Sequence, residues 1–221
     1  MKLGEVDKIL QQMHSEKGVD KGSFGEKAVL RICEEFYQKY GGILIHSYSY
    51  AVDRELPGNI KRHDDGTFYL ENLGSTTEID VLLITPYRIY PIEVKAYAAK
   101  KILLYDDRIE GCRITEKSPI HQNEMHCRHL YSHLFKSIPN GDIRYIVPCV
   151  CFVDKCELVD NRSDWQRSYI PAFTLNYLNE FIQKTNTPLE YRLDLKSVDN
   201  SLKEAESSVE KKFQLLIKGE D

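Results

Sequence analysis

The sequence predicts an α/β domain with three layers: a mixed central sheet flanked by helices. Three observations carry that expectation. Segments of helical periodicity alternate along the chain with apolar runs of strand length. The run Val81-Leu82-Leu83-Ile84 contains no polar residue, as in a central strand covered on both faces. The turn Thr85-Pro86-Tyr87-Arg88 then separates it from a second β-rich run, Ile89 to Val94, so the two form a hairpin.

In chain order, residues 4–15 carry Val6, Ile9, Leu10 and Met13 at helical spacing. After a glycine-rich break, Ser23 is read as the N-cap of a helix that runs to Tyr40. Its apolar positions, Phe24, Ala28, Ile32, Cys33, Phe36, Tyr37 and Tyr40, lie on one face, and Gly41-Gly42 ends it. ILIHSYSYAV reads as a strand, and residues 53–74 as a polar loop or ragged hairpin. Pro91 lies inside the second strand of the central hairpin, so it must occupy a point where no ladder N–H is needed. Short strands follow at 102–105 and 108–114. A helix is expected over 119–137, with Ser118 as N-cap and Pro119 at its first position. DIRYIVPCVCFVD reads as a buried strand and AFTLNYLNEFIQK as a helix. Residues 186–198 read as a linker, followed by a helix with Leu202, Ala205, Val209, Phe213 and Leu216 on one face. That face needs either the core or a partner to cover it, which leaves room for a protein partner or self-association. The expected organisation is an N-terminal helical extension over 1–20, a main domain over 21–185, and a linker with an amphipathic helix over 186–221.

Composition narrows the function. In 221 residues, 30 Lys plus Arg face 34 Asp plus Glu, a formal charge of −4. This excludes a strongly basic nucleic-acid coat but not a local basic cleft. Residues 95–136 hold eight basic and five acidic side chains, a modest positive patch. No apolar run reaches the roughly 20 residues of a membrane helix, and the N-terminus is too polar for a secretory signal. The chain reads as cytoplasmic with no membrane partner. Six cysteines are then expected as reduced thiols. Cys149, Cys151 and Cys156, with histidines upstream, allow a zinc site to be imagined; small buried thiols explain them as well.

The chemistry concentrates on the hairpin. Glu93 and Lys95, two apart on a strand, share a face, whereas Ile92 and Val94 take the other. Folding back at 85–88 brings Asp80 beside Glu93. Two carboxylates plus the Val94 carbonyl are hard oxygen ligands suited to Mg²⁺ or Mn²⁺. Lys95 is placed to hold or deprotonate a water and to offset phosphate charge. The alternative is an ordinary Glu–Lys pair at an exposed strand end. In the helix that follows, Gln122, His126, His129 and His133 are spaced 4, 3 and 4, within a stripe roughly 60° wide. That stripe either lines a groove for substrate backbone or is a solvated face.

The stretch EIDVLLITPYRIYPIEVKAY resembles the core of the nuclease-related domain (NERD), a branch of the PD-(D/E)xK nuclease superfamily. Gly22-Ser23-Phe24-Gly25-Glu26 is similar to that family's opening glycine–glutamate motif, and Ser118-Pro119-Ile120-His121-Gln122 to its later N/S-P-x-x-Q motif. The resemblance implies a restriction-endonuclease-like core over 21–185 and a metal-dependent nuclease acting on nucleic acid, DNA first. In it, Asp80 and Glu93 would bind the metal and Lys95 would assist catalysis. Glu26 would reach the site from the first core helix, and Gln122 would line it from the second. A nuclease-fold module that binds nucleic acid or a partner without cleavage, and a zinc-stabilised regulator, are the other functions the sequence allows.

Overall fold

The computed structural model describes residues 21–51, 59–62, 68–71, 76–97, 99–111, 116–153 and 156–218. The helix expected over 4–15 lies outside the described residues.

Helix α1 spans Lys21–Tyr40. It begins upstream of the expected cap, so Ser23 falls within the helix rather than at its end. Gly25, also inside it, has a packing reason: a Cβ there would stand 2.6 Å from Val153 Cγ2, so glycine lets α1 lie directly on the strand below. At the C-terminal end Gly42 has φ +132°, and a Cβ would collide with the Ile84 carbonyl oxygen. Strand β1 (Ile43–Ala51) follows, then β2 (Asn59–Arg62) and β3 (Phe68–Glu71), which pair as the ragged hairpin.

Strands β4 (Thr76–Ile84) and β5 (Ile89–Lys95) form the expected antiparallel hairpin, in register from Ile84↔Ile89 to Val81↔Ile92. Beyond it lie β6 (Lys101–Leu104), β7 (Arg108–Glu110) and β8 (Glu116–Lys117). Helix α2 spans Pro119–Leu134, and the Ser118 side chain accepts from Ile120 N–H at 3.3 Å, as the capping pattern requires. The strand expected over 142–154 is shorter than its apolar run. It is confined to β9 (Cys149–Phe152), because a 3₁₀ turn and Pro148 occupy what precedes it. Then come β10 (Glu157–Asp160), the short helix α3 (Asp164–Tyr169), β11 (Ala172–Thr174), α4 (Leu175–Thr185) and α5 (Leu195–Lys218). The helix expected from 172 thus gives its first three residues to a parallel edge strand on β9.

The main sheet has the order β1-β4-β5-β9-β11, antiparallel up to β5 and parallel beyond it. A second sheet, β10-β6-β7-β8, packs its Ile102, Leu104 and Ile109 with Val150, Phe152 and Ile120. On one face of the main sheet, Ala28, Val29, Ile32, Cys33 and Phe36 of α1 and Leu175, Leu178 and Ile182 of α4 cover Val81, Leu83, Ile92 and Val94. On the other, Cys127, Leu130 and Leu134 of α2 and Val198, Leu202 and Ala205 of α5 cover Leu82 and Ile84. This sheet between two helical layers is the mixed α/β architecture the sequence predicts.

The C-terminal segment joins that architecture earlier than expected. Asp194 Oδ1 accepts from Lys196 N–H at 3.1 Å and caps α5, so the helix starts within the supposed linker. Its apolar face, through Ala205, packs against β1 and α2. No described helix is long and apolar enough to cross a membrane.

Candidate active site

The site begins where β4 and β5 part. Their last paired residues are Val81 and Ile92, so Asp80 and Glu93 stand just past the end of the ladder. Asp80 turns its carboxylate onto the neighbouring backbone: Oδ2 accepts from Val94 N–H at 2.7 Å. In an extended strand the N–H and C=O of one residue point to the same edge. The Val94 carbonyl therefore faces the Asp80 side, and Lys95 turns its carbonyl the other way, to Val153 N–H at 3.0 Å.

Glu93 is 1% exposed. Lys95 Nζ stands 2.5 Å from its Oε1, and His126 Nδ1 stands 3.4 Å from its Oε2. Neither carboxylate oxygen receives an aligned hydrogen bond within the described residues, and neither does His126 Nδ1. Buried acceptors of a charged group are rarely left so. Burial, and then the nearby Glu93 charge, push the Asp80 carboxyl up to about 7; the Val94 N–H and the Lys95 ammonium pull it down.

Helix α2 supplies the wall. Lys95 Nζ donates to Gln122 Oε1 at 3.3 Å, which joins the Ser118–Gln122 motif to the lysine. One turn on, His126 is only 5% exposed, and His133 sets its ring edge-on to Tyr50 with centroids 5.4 Å apart. The polar stripe is thus partly a buried wall beside Glu93 rather than a solvated face. Glu26 reaches in from α1: its Oε2 is 2.6 Å from His46 Nε2, and its charge adds to those raising Asp80.

Asn123 belongs to no motif of the sequence analysis. It is fully buried, and its Nδ2 donates to the carbonyls of Pro91 at 3.3 Å and Cys149 at 2.8 Å. Pro91 has no N–H, and the β5–β9 ladder begins only at Ile92↔Cys149. Asn123 supplies donors at the gap and ties α2 to both strands. An asparagine next to Gln122, on the helix facing a strand proline, was the signal available. His46, as the partner of Glu26, gave no signal beyond its residue type.

The cysteines divide. Cys149 and Cys151 are wholly buried in the core under α1, where burial pushes both thiols up, and Cys156 packs with the second sheet. They do not face one site.

The residues gathered at the strand ends fit a divalent cation by their chemistry. Glu93 carries two buried oxygen atoms that receive no aligned hydrogen bond, the Asp80 carboxyl stands near it with Oδ2 on the Val94 N–H, and the Val94 carbonyl faces the same side. Among the described residues, no three His, Cys, Asp or Glu side chains are grouped to enclose a metal by themselves. A two-carboxylate set leaves most of a hard cation's shell to water and substrate oxygens, as Mg²⁺ prefers.

A mixed sheet between helices, with acids and a lysine at the open end of a central hairpin, defines a nuclease-like α/β protein. The family model described as the nuclease-related domain (NERD) matches residues 21–153, more than half of the chain, and the chain belongs to that family. Among curated proteins and solved structures, none matches it significantly.

Proposed function

We propose that this protein is a divalent-metal-dependent nuclease that hydrolyses phosphodiester bonds of DNA. The observation that most supports this is Glu93, a buried carboxylate with two oxygens lacking hydrogen bonds, set beside a second, raised carboxyl and a lysine. Asp80, Glu93 and the Val94 carbonyl would hold Mg²⁺ or Mn²⁺, which would offset phosphate charge and make bound water more acidic. Lys95 orients the attacking water and neutralises charge on the phosphoryl oxygens. Gln122 holds the Lys95 side chain, and Glu26, fixed by His46, adds a further acid at the rim. Hydrolysis puts the water's oxygen on phosphorus, breaks one P–O ester bond and delivers a proton to the leaving alkoxide.

The experiment is digestion of plasmid and of DNA and RNA oligonucleotides with Mg²⁺ or Mn²⁺, comparing wild type with Asp80→Ala and Lys95→Ala. DNA cleavage by wild type alone is the expected result. Equal cleavage by all three proteins would overturn the assignment.

A second reading has one observation behind it: Lys95 already sets its ammonium against Glu93, so the site carries an internal cation. On this reading the domain binds nucleic acid or a partner protein without cutting. Calorimetry separates the two, because no uptake of Mg²⁺ at millimolar concentration would favour the binding module.

A further inference from the structure

Strand β1 pairs with β4 in one unbroken register, from Ile43↔Ile84 to Ala51↔Thr76, with a single missing pair. The gap falls at Ser47, directly opposite Asp80. Ser47 has φ +53°, in the left-handed region that a serine seldom adopts and only at a cost.

The side chains change faces at this point in both strands. Before it, His46 points to Glu26 of α1, opposite Val81 of the α1 core. After it, Tyr48 and Tyr50 lie in the opposite core, with their hydroxyls donating to the Leu202 and His126 carbonyls. In β4, Val81 and Leu83 belong to the α1 core. Strict alternation would put Ile79 there too, yet it lies with Tyr48 on the α2 and α5 side. The reversal in β4 therefore occurs at Asp80. Its carboxylate points sideways along the sheet to the Val94 N–H instead of up from a pleat.

A reversal in one strand alone would destroy the pairing beyond it. Matched reversals keep Tyr48↔Ile79 paired and the register unchanged. We propose that Ser47 is a positioning residue for the Asp80 carboxylate: its left-handed backbone lets β1 follow the turn in β4 that aims Asp80 at the end of β5. This rests on the reading of Asp80 as a residue of the nuclease site, but the geometry can be tested without cleavage.

Ser47 is exposed, so its side chain can be varied without disturbing a core. The variants are Ser47→Gly and Ser47→Asn, which tolerate positive φ, and Ser47→Ala and Ser47→Val, which resist it increasingly. The primary readout is hydrogen exchange and chemical shift of the Val94 amide by NMR, which report the bond to Asp80 whether or not the protein cuts DNA. Thermal melting serves as the control for folding. Ser47→Gly and Ser47→Asn are expected to keep Val94 protection, and Ser47→Val to lose ~10-fold of it, with Ser47→Ala between. Cleavage should follow the same order through kcat, with KM little changed. Equal Val94 protection across the series would overturn the proposal. So would a loss in Ser47→Gly as large as in Ser47→Val, since the hydroxyl rather than the backbone would then matter. Should Ser47→Val fail to fold, the Asn and Ala pair decides: equal protection in those two overturns the proposal. Intact Val94 geometry in a protein that never cuts would count against the nuclease reading alone.

Discussion

At the closed end of the β4–β5 hairpin, Thr85 Oγ1 accepts from Tyr87 N–H at 3.1 Å and Arg88 N–H at 3.0 Å, and donates to Asn186 Oδ1 at 2.6 Å. Thr85 N–H closes the turn on the Arg88 carbonyl at 2.9 Å. At the open end of the same two strands, Glu93 is as buried as Thr85, yet its carboxylate receives no aligned hydrogen bond, and Asp80 is held as a poor acid. One end uses its polar groups to fix the backbone. The other buries a carboxylate that is met by the Lys95 ammonium but by no aligned hydrogen bond, an arrangement that costs stability and makes sense where a ligand is to complete it. Substitutions at the two ends should therefore separate folding from chemistry.

The largest effect expected is at the open end. On the proposed function, Lys95→Met should lower DNA cleavage by about 10²- to 10⁴-fold, the range for loss of a positioned catalytic side chain. Because the change also strands the buried Glu93 carboxylate without its ion partner, the protein should melt lower than wild type, and the loss of cleavage per folded molecule should far exceed the loss of folded protein. A fall in activity matched by a fall in folded protein would erase the contrast between the ends.

Asn123 lies between the two regimes and tests which one α2 serves. Asn123→Leu leaves the carbonyls of Pro91 and Cys149 without these donors, and should cost about 2–3 kcal/mol in denaturant unfolding. Because Gln122 precedes it on the helix, cleavage should also weaken under conditions where the variant is fully folded. At the closed end, Thr85→Val keeps the shape but removes the acceptor of two backbone N–H groups, and should cost about 1–2 kcal/mol. Its cleavage rate per folded molecule should not change, since Thr85 lies at the far end of the hairpin from Lys95. A Thr85→Val protein that folds well but cuts poorly would show that the two ends are coupled.

The closed end and the strands were legible in the sequence because local chemistry decides them. The Ser118-Pro119 start, the VLLI run and the turn at 85–88 all appear in the structure where their residues place them. The Glu93–Lys95 face followed from the period of two, and the approach of Asp80 from the hairpin. What was not legible depends on contacts distant in sequence. Asn123 is polar on a helix, and only the β5–β9 gap makes it a bridge. Ser23 resembles a cap because glycines surround it, and only the approach of Val153 shows that Gly25 serves packing rather than a helix break. The left-handed Ser47 sits inside a run that alternates well enough to read as a regular strand. The start of α5 is not legible in the sequence, because the Asp194 cap precedes the apolar periodicity that marks the helix.

The smallest effect has the clearest sign. Asp80 is raised from 3.8 to about 7, first by burial and then by Glu93. Below pH 3.8 the folded and unfolded chains both carry this proton, and the site costs nothing on its account. Between those values the folded protein keeps a proton that the unfolded chain releases, so stability falls as pH rises and reaches its full deficit above about pH 7. Asp80→Asn removes the titration while its amide oxygen can still accept from Val94 N–H. In metal-free buffer the variant should match wild type near pH 4 and melt progressively higher up to pH 8, by about 2–4 °C for each kcal/mol recovered. Added Mg²⁺ should narrow the gap by stabilising only the wild-type carboxylate. A difference in melting temperature that is the same at pH 4 and pH 8 would mean that Asp80 is not strained by its charge, and the two ends of the hairpin would then differ in geometry alone.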